Sequence, residues 1–160
     1  MKFALTLVAL ALSAPAAAQD LVFSMDATDA CFASGGTSED CIGASAEACT
    51  ENTPGGYTTV GMGGCYDAER QAWDQQLNQA YAEAMAYAKQ MDAENADFAP
   101  SQVDTLREMQ RAWIPYRDRS CDYIRSQWGG GTGGGPASIM CLMQETARQA
   151  LFLESTMPGD

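Results

Sequence analysis

The stretch that decides the fold is CYDAERQAWDQQLNQAYAEAMAYAKQMD, residues 65–92. Its apolar side chains recur at steps of three or four, the spacing of one face of an α-helix: Trp73, Leu77, Tyr81, Met85 and Ala88. Alanine is abundant and polar residues fill the other faces, which favours a helix. The stretch therefore predicts a long helix from about Cys65 to Asp92 whose apolar stripe packs in a core.

Two more helices are predicted downstream. The first starts at Pro100 or Ser101, and Pro115 inside it is expected to bend the helix rather than end it. Its inward series is Val103, Leu106, Met109, Trp113, Tyr116, Ser120, Ile124 and Trp128. The second opens at Pro136 and reaches about Glu154. Its inward series is Ile139, Leu142, Thr146, Ala150 and Leu153.

Shorter elements and breakers complete the chain. One short helix holds Cys31, and a second, capped by Thr37-Ser38, is expected to carry both Cys41 and Cys49. Glycine-rich loops are predicted at Asn52–Gly64 and Gly129–Gly135. No segment alternates long enough to demand a strand. The predicted class is all-α, a helical hairpin or small bundle tied by disulfides.

The N-terminus has the pattern of an export signal. A basic start, an apolar run over residues 3–12 and small residues at 16–18 predict a signal peptide spanning residues 1–18. Residues 19–160 are then expected to form a single domain in the periplasm or secreted outside the cell. Gln19, rather than a cysteine, follows the predicted cut, so we expect no lipid anchor in the membrane.

Six cysteines and no histidine follow this signal. In an oxidising compartment an even number of cysteines indicates a disulfide framework, although six allow fifteen pairings. Cys121 and Cys141 lie at similar distances from the glycine-rich turn that joins two predicted antiparallel helices, so Cys121–Cys141 ranks first among the pairings. Cys49 and Cys65 flank the first glycine-rich loop in the same way. That leaves Cys31 to pair with Cys41.

Composition narrows the classes of function. Without Lys2 the chain has 8 basic and 21 acidic side chains, so its net charge is −13. Nucleic acids and anionic membranes are therefore poor partners, whereas a basic protein would be attracted. Without histidine there is no Ser-His pair and no imidazole metal site. We expect no metal, no cofactor and no enzyme, because no pair of carboxylates is singled out.

Two groups of residues resemble a known family. The first comprises Cys65–Glu69, Trp73-Asp74, Leu77-Asn78 and Tyr81; the second comprises Leu106, Gln110–Ile114, Tyr116–Asp118, Cys121, the glycine loop, Cys141-Leu142 and Thr146. Together they resemble the LprI-type lysozyme-inhibitor family over roughly residues 49–153. The resemblance implies a disulfide-tied helical domain and, as an activity, lysozyme inhibition. This chain departs from the family pattern at Gln149, where an arginine is frequent, and in the extension that holds Cys31 and Cys41.

Two side chains are candidates for binding a partner. Tyr57 lies in the first glycine-rich loop and has the character of an aromatic anchor. Arg117 is expected either to pair with Glu69 or Asp74 on the facing helix or to bind a carboxylate ligand. The other motif positions are expected to serve the core and the family pattern: Trp73, Leu77, Asn78, Tyr81, Trp113, Tyr116 and Asp118.

These observations favour an exported binding protein that blocks lysozyme, a basic enzyme that an acidic inhibitor would attract. In this hypothesis one of the two glycine-rich loops enters the enzyme's cleft. The alternative is a structural or accessory protein of the cell envelope that does not bind lysozyme. An assay of lysozyme activity distinguishes the two hypotheses.

Overall fold

The computed structural model describes residues 20–95 and 100–157, and this part of the chain is helical without strands. The helices are α1 (Asp26–Ala33), α2 (Ser38–Cys41), α3 (Ala44–Asn52), α4 (Thr59–Glu94), α5 (Gln102–Ser126) and α6 (Gly134–Thr156). The predicted all-α class is confirmed. None of these helices is long and apolar enough to cross a membrane. The predicted export signal lies outside the described residues.

The core forms where α4 packs along α6, with α5 against both helices and α1–α3 at one end. Its side chains include Trp73, Leu77, Ala80, Met143, Ala147, Ala150 and Leu153. The predicted stripe of α4 is confirmed at Trp73, Leu77 and Ala88, which are buried, whereas Tyr81 and Met85 are half-buried at its edge. Small alanines on the facing sides allow α4 and α6 to approach closely.

Helix α4 begins earlier than the sequence predicts. The predicted loop over residues 57–64 is wrong from Thr59 onward, because Thr58 caps the helix by accepting a hydrogen bond from the N–H of Gly61. Gly61 lies directly against the backbone of Gly55 and Gly56, where a side chain would not fit. A glycine costs a helix about 1 kcal/mol relative to alanine, and this close packing outweighs that cost.

The single helix predicted to carry Cys41 and Cys49 is also wrong. The chain breaks between α2 and α3 at Gly43, whose φ of 101° is in the left-handed region that favours glycine. The predicted cap at Thr37 is confirmed. Its side chain accepts from the N–H of Asp40, and the Asp40 carboxylate accepts from the N–H of Thr37.

Helix α5 runs through Pro115 and ends at Ser126, so Trp128 lies beyond it. Tyr116 is 62% exposed, and its predicted place in the core is wrong. The inward face of α5 steps by four residues from Trp113 to Arg117 and then to Cys121. Tyr116, one residue earlier, therefore points away from the core.

Three disulfides tie the helices. They join Cys31 to Cys41, Cys49 to Cys65 and Cys121 to Cys141, with Cα–Cα distances of 5.4, 5.6 and 5.4 Å. These are the pairs that the sequence ranked first. The first pair joins α1 to α2, the second joins α3 to α4, and the third joins α5 to α6.

Candidate functional site

A surface groove runs beside α6 and is formed by two adjoining hollows. The first, of about 380 Å³, lies among α2, α3, the connection before α4, the start of α4, and α6. The second, of about 300 Å³, lies between α5 and α6. Met140 and Gln144 line both hollows, so the two are adjacent. We call the combined feature the α6 groove.

The α6 groove combines an apolar floor with acidic groups. Its large apolar and aromatic side chains are Ile42, Tyr57, Met62, Tyr66, Tyr123, Ile124, Met140 and Met143. Its carboxylates are Asp40, Glu47 and Glu145, and no lysine or arginine is among the described residues that line it. Methionine adapts its shape to a ligand, and carboxylates attract cations. The groove therefore suits a partner that presents both apolar and cationic side chains.

Tyr57 stands at the edge of the groove on a braced turn. Its side chain is 71% exposed. The N–H of Gly56 donates to the carbonyl of Thr53 at 2.8 Å, and the N–H and hydroxyl of Thr58 both donate to the carbonyl of Gly55, at 3.0 and 2.7 Å. The disulfide Cys49–Cys65 joins the helices on either side. Because the turn is already ordered, a contact made by Tyr57 would cost little conformational entropy.

The cation nearest to the acidic side of the groove is already paired. Arg148 donates to Glu39 at 3.1 and 3.2 Å and to Glu145 at 2.9 Å. Hydrogen bonding to Glu39 raises the pKa of Arg148, and Arg148 in turn lowers the pKa of Glu39. The Thr37 hydroxyl lowers the pKa of Asp40, which favours its charged form. Glu47 belongs to none of the ion pairs in the described part of the chain.

A buried carboxylate positions the helices behind the groove. Glu69 is 0% exposed. It accepts hydrogen bonds from the N–H groups of Gly43 and Ala46 at 2.8 and 2.6 Å, from Trp73 Nε1 at 3.0 Å and from the Thr28 hydroxyl at 3.3 Å. Gly43 and Ala46 belong to the N-terminus of α3, where a negative charge is favourable. Glu69 on α4 thus caps α3, which supplies one wall of the groove.

Arg117, the other candidate for partner binding, lies elsewhere. Its guanidinium stacks over the Trp113 ring at 4.9 Å and donates twice to Asp118 Oδ1, at 2.9 and 2.8 Å. The predicted ion pair with Glu69 or Asp74 is therefore wrong, because a carboxylate next in sequence takes the guanidinium. Arg117 does not line the α6 groove, so the structure does not bring it together with Tyr57.

The remaining motif positions divide between core and surface. Trp73 and Leu77 are buried, and the half-buried Tyr81 and Trp113 pack against the core. The side chains of Asn78 and Asp118 are exposed, so these two positions do not build the core. Asn78 donates to Asp74 Oδ2 at 3.2 Å on the same helix.

Sequence reasoning missed the methionine floor and the capping role of Glu69. Met140 and Met143 lie three residues apart on α6, a spacing that places both on one side of a helix. Glu69 lies four residues before Trp73, so an acid falls on the apolar stripe of α4. Both signals were available in the sequence. In the described residues, no group of three or more acidic or cysteine side chains is arranged to hold a metal ion.

The chain is similar to a known family of proteins. The model of the family described as lysozyme inhibitor LprI matches residues 49–153. This span begins at Cys49 in α3 and ends at Leu153 in α6. It therefore covers α4, α5 and both disulfides that tie them to neighbouring helices. The α1–α2 segment lies outside the match.

Several curated proteins are similar to the chain. An uncharacterized 17.7 kDa protein of Rhodobacter capsulatus is 28% identical over 123 residues, which cover 74% of this chain and 75% of the relative. The uncharacterized protein YecT of Escherichia coli is 36% identical over 63 residues, 39% of each chain. An uncharacterized Rhizobium meliloti protein is 29% identical over 96 residues, 58% of this chain and 69% of the relative. No solved structure gives a significant match.

Proposed function

The chain belongs to the LprI lysozyme-inhibitor family, and from this membership we propose that it is an exported inhibitor that binds a basic lysozyme in the α6 groove. The observation that carries the proposal is the composition of that groove. It joins a methionine and tyrosine floor to three carboxylates, without a lysine or arginine among its described lining residues. No enzymatic activity is proposed for the chain itself.

Charge supports the proposal at long range and in the groove. The whole chain has a net charge of −12, so a basic protein is attracted before contact and its association is accelerated. In the groove, an arginine or lysine of the partner can lay its apolar stem along Met62 and Met140 while its charged end meets Glu47 or Asp40. The same surface thus offers both parts of a basic side chain a favourable environment.

Tyr57 supplies the anchor in this proposal. Exposed tyrosines are enriched among the residues that carry most of the binding energy in protein interfaces. The braced turn presents Tyr57 beside the groove, and the first predicted loop thus contributes one exposed ring rather than a long flexible segment. Inhibition then follows from steric block of the partner by the bound domain.

The proposal is tested by measuring inhibition of a basic lysozyme in a turbidity assay, with binding measured by calorimetry. We expect Tyr57→Ala to weaken binding at least about tenfold, because an aromatic anchor contributes about 2 kcal/mol or more. Tyr116→Ala is the matched control, since Tyr116 is similarly exposed but does not line the groove. Binding of the wild type should also weaken as salt rises, because exposed charges are screened.

Two results would count against this function. Equal binding by Tyr57→Ala and Tyr116→Ala would remove the groove edge from the interface. Absence of inhibition and of binding by the wild type at every salt concentration would favour the alternative, an accessory protein of the cell envelope.

A further inference from the structure

The exposed side of α5 carries an ordered pattern of charges. The N-terminal half has Asp104, Arg107, Glu108 and Arg111, and the C-terminal half has Asp118, Arg119, Asp122 and Arg125. About the midpoint between Ile114 and Pro115, three pairs of positions carry opposite charges: Asp104 with Arg125, Arg107 with Asp122, and Arg111 with Asp118. A copy of α5 running in the opposite direction is therefore complementary to it at these six positions. Glu108, Arg117 and Arg119 have no opposite charge at the matching position.

The six residues of these pairs share one outward face of the helix. At about 100° per residue, Arg111, Ile114 and Asp118 fall within about 60° of one another around the axis. Asp104 and Asp122 lie at the same angle, and their side chains are 71% and 68% exposed. Trp113 lies about 100° from Ile114, whereas Cys121 lies about 20° from it, so Ile114, which is 44% exposed, borders the inward face. All six charged residues of the three pairs are exposed. The pattern is therefore open to a partner.

We propose that this face of α5 is the interface of a two-fold symmetric homodimer in which two copies of α5 pack antiparallel about Ile114 and Pro115. In that arrangement Arg111 faces the partner's Asp118, Arg107 faces the partner's Asp122, and Asp104 faces the partner's Arg125. Symmetry repeats each pair. The interface has an apolar centre and a charged rim, as is common in protein complexes.

A second copy fits this face better than another kind of partner. A polyanion would meet the acids of the face, and a basic protein would meet its arginines. A second copy pairs with six charges of the face, three acidic and three basic. The side chains of Arg111 and Arg125 form no hydrogen bond or ion pair within the described part of the chain, so their guanidinium groups are free to bind a partner.

The net charge of the whole chain also favours α5 as the surface at which two copies meet. Two copies of a protein with a net charge of −12 repel each other over most of their surfaces. Helix α5 carries five of the nine basic side chains and only four acids, so repulsion is least where α5 meets α5. Tyr123, which lines the α6 groove, lies well outside the arc of the proposed interface. The dimer would therefore leave both grooves accessible.

Charge reversal tests the proposal by sedimentation velocity over a range of protein concentrations. We expect the wild type to dimerise reversibly, and Arg111→Asp and Asp118→Arg each to raise the dimer Kd at least about tenfold, because like charges then face each other. An equimolar mixture of the two variants should dimerise again. In the mixed dimer the two reversed positions face each other with opposite signs, and the native Arg111 faces the native Asp118.

Matched controls make the same charge changes on α4. Lys89→Asp and Glu83→Arg alter exposed side chains away from the face, and they should leave the dimer Kd within about twofold of the wild type. Asp118 also binds Arg117, but a variant that failed to fold would not recover by mixing. A wild type that stays monomeric at all concentrations, or a mixture of the two reversal variants that stays monomeric, would overturn the proposal.

Discussion

Helices α4 and α5 are both long, yet they use their inward faces differently. Along its 36 residues α4 buries nine, from Gly61 to Ala88, whereas α5 buries only Cys121 in 25 residues. The buried face of α4 is built mostly from small side chains around Trp73 and Leu77, and α6 packs closely along it. The face of α5 is built from larger side chains such as Leu106 and Trp113, which remain half-buried.

Helix α4 stabilises the fold, whereas the exposed side of α5 is available to bind a partner. Helix α4 packs against α3, α5 and α6, so its contacts reach almost every part of the domain. Helix α5 is an edge helix, held by the disulfide to α6 and by a cap from α4. Its outer side remains exposed. Changes on α4 should therefore affect the whole fold, and changes on α5 should act locally.

The largest effect is expected from Glu69→Gln on α4. The amide keeps the shape of the carboxylate but offers one acceptor oxygen, so its own N–H₂ group would face donors such as the N–H of Ala46. Each buried donor left without a partner costs about 1–3 kcal/mol. We expect a loss of about 3–5 kcal/mol in the free energy of unfolding, measured by urea denaturation.

Glu83→Gln on the same helix is the control for this change. Glu83 is exposed and its partner is Gln79 in the preceding turn, so the loss of unfolding free energy should stay within about 0.5 kcal/mol. If Glu69→Gln were equally mild, the cap on α3 would not stabilise the fold.

A smaller effect is expected from removing the disulfide between α5 and α6. The double change Cys121→Ser and Cys141→Ser opens a link with a sequence separation of 20 residues, which the chain-entropy model values at about 3 kcal/mol. Because α5 is the edge helix, hydrogen exchange should accelerate in α5 before it does in α4. Equal acceleration in both helices would contradict the difference between them.

Much of this fold was predictable from periodicity and breakers. Local spacing predicts the stripe of α4, the start of α5 and the three disulfide pairs, because helix geometry fixes where each residue lies along and around the helix axis. The helical conformation of the glycines at the start of α4 did not follow from local spacing. It depends on the close approach of Gly55 and Gly56 in the preceding turn. Tyr116 was misplaced because steps of three and of four both fit a helical stripe.

The candidate site was only partly predictable. The exposure of Tyr57 followed from its loop, but the groove beside it needs side chains from α2, α3, α4 and α6 together. Arg117 was assigned a partner across the helices because a cation in an acidic chain attracts any nearby carboxylate. Spacing alone does not reveal that the adjacent Asp118 takes it while Glu69 turns to backbone donors.

The smallest effect is expected from Asp92→Asn, which tests how α4 supports the start of α5. Asp92 accepts from the Ser101 hydroxyl at 2.6 Å and from the N–H groups of Gln102 and Val103 at 2.7 and 3.1 Å. The hydrogen bond from Ser101, followed by that from Gln102, lowers the pKa of Asp92 below its ordinary value of 3.8. The stabilisation by Asp92 is therefore present above pH 3.8 and is lost as the pH falls through the lowered pKa.

Asp92→Asn should lower the Tm at pH 7, as followed by circular dichroism. The difference in Tm between the variant and the wild type should shrink as the pH is brought well below 3.8. Asp74→Asn removes the same charge from α4 without touching α5, so a pH-dependent difference of equal size in that variant would show that general charge, rather than the cap on α5, is responsible.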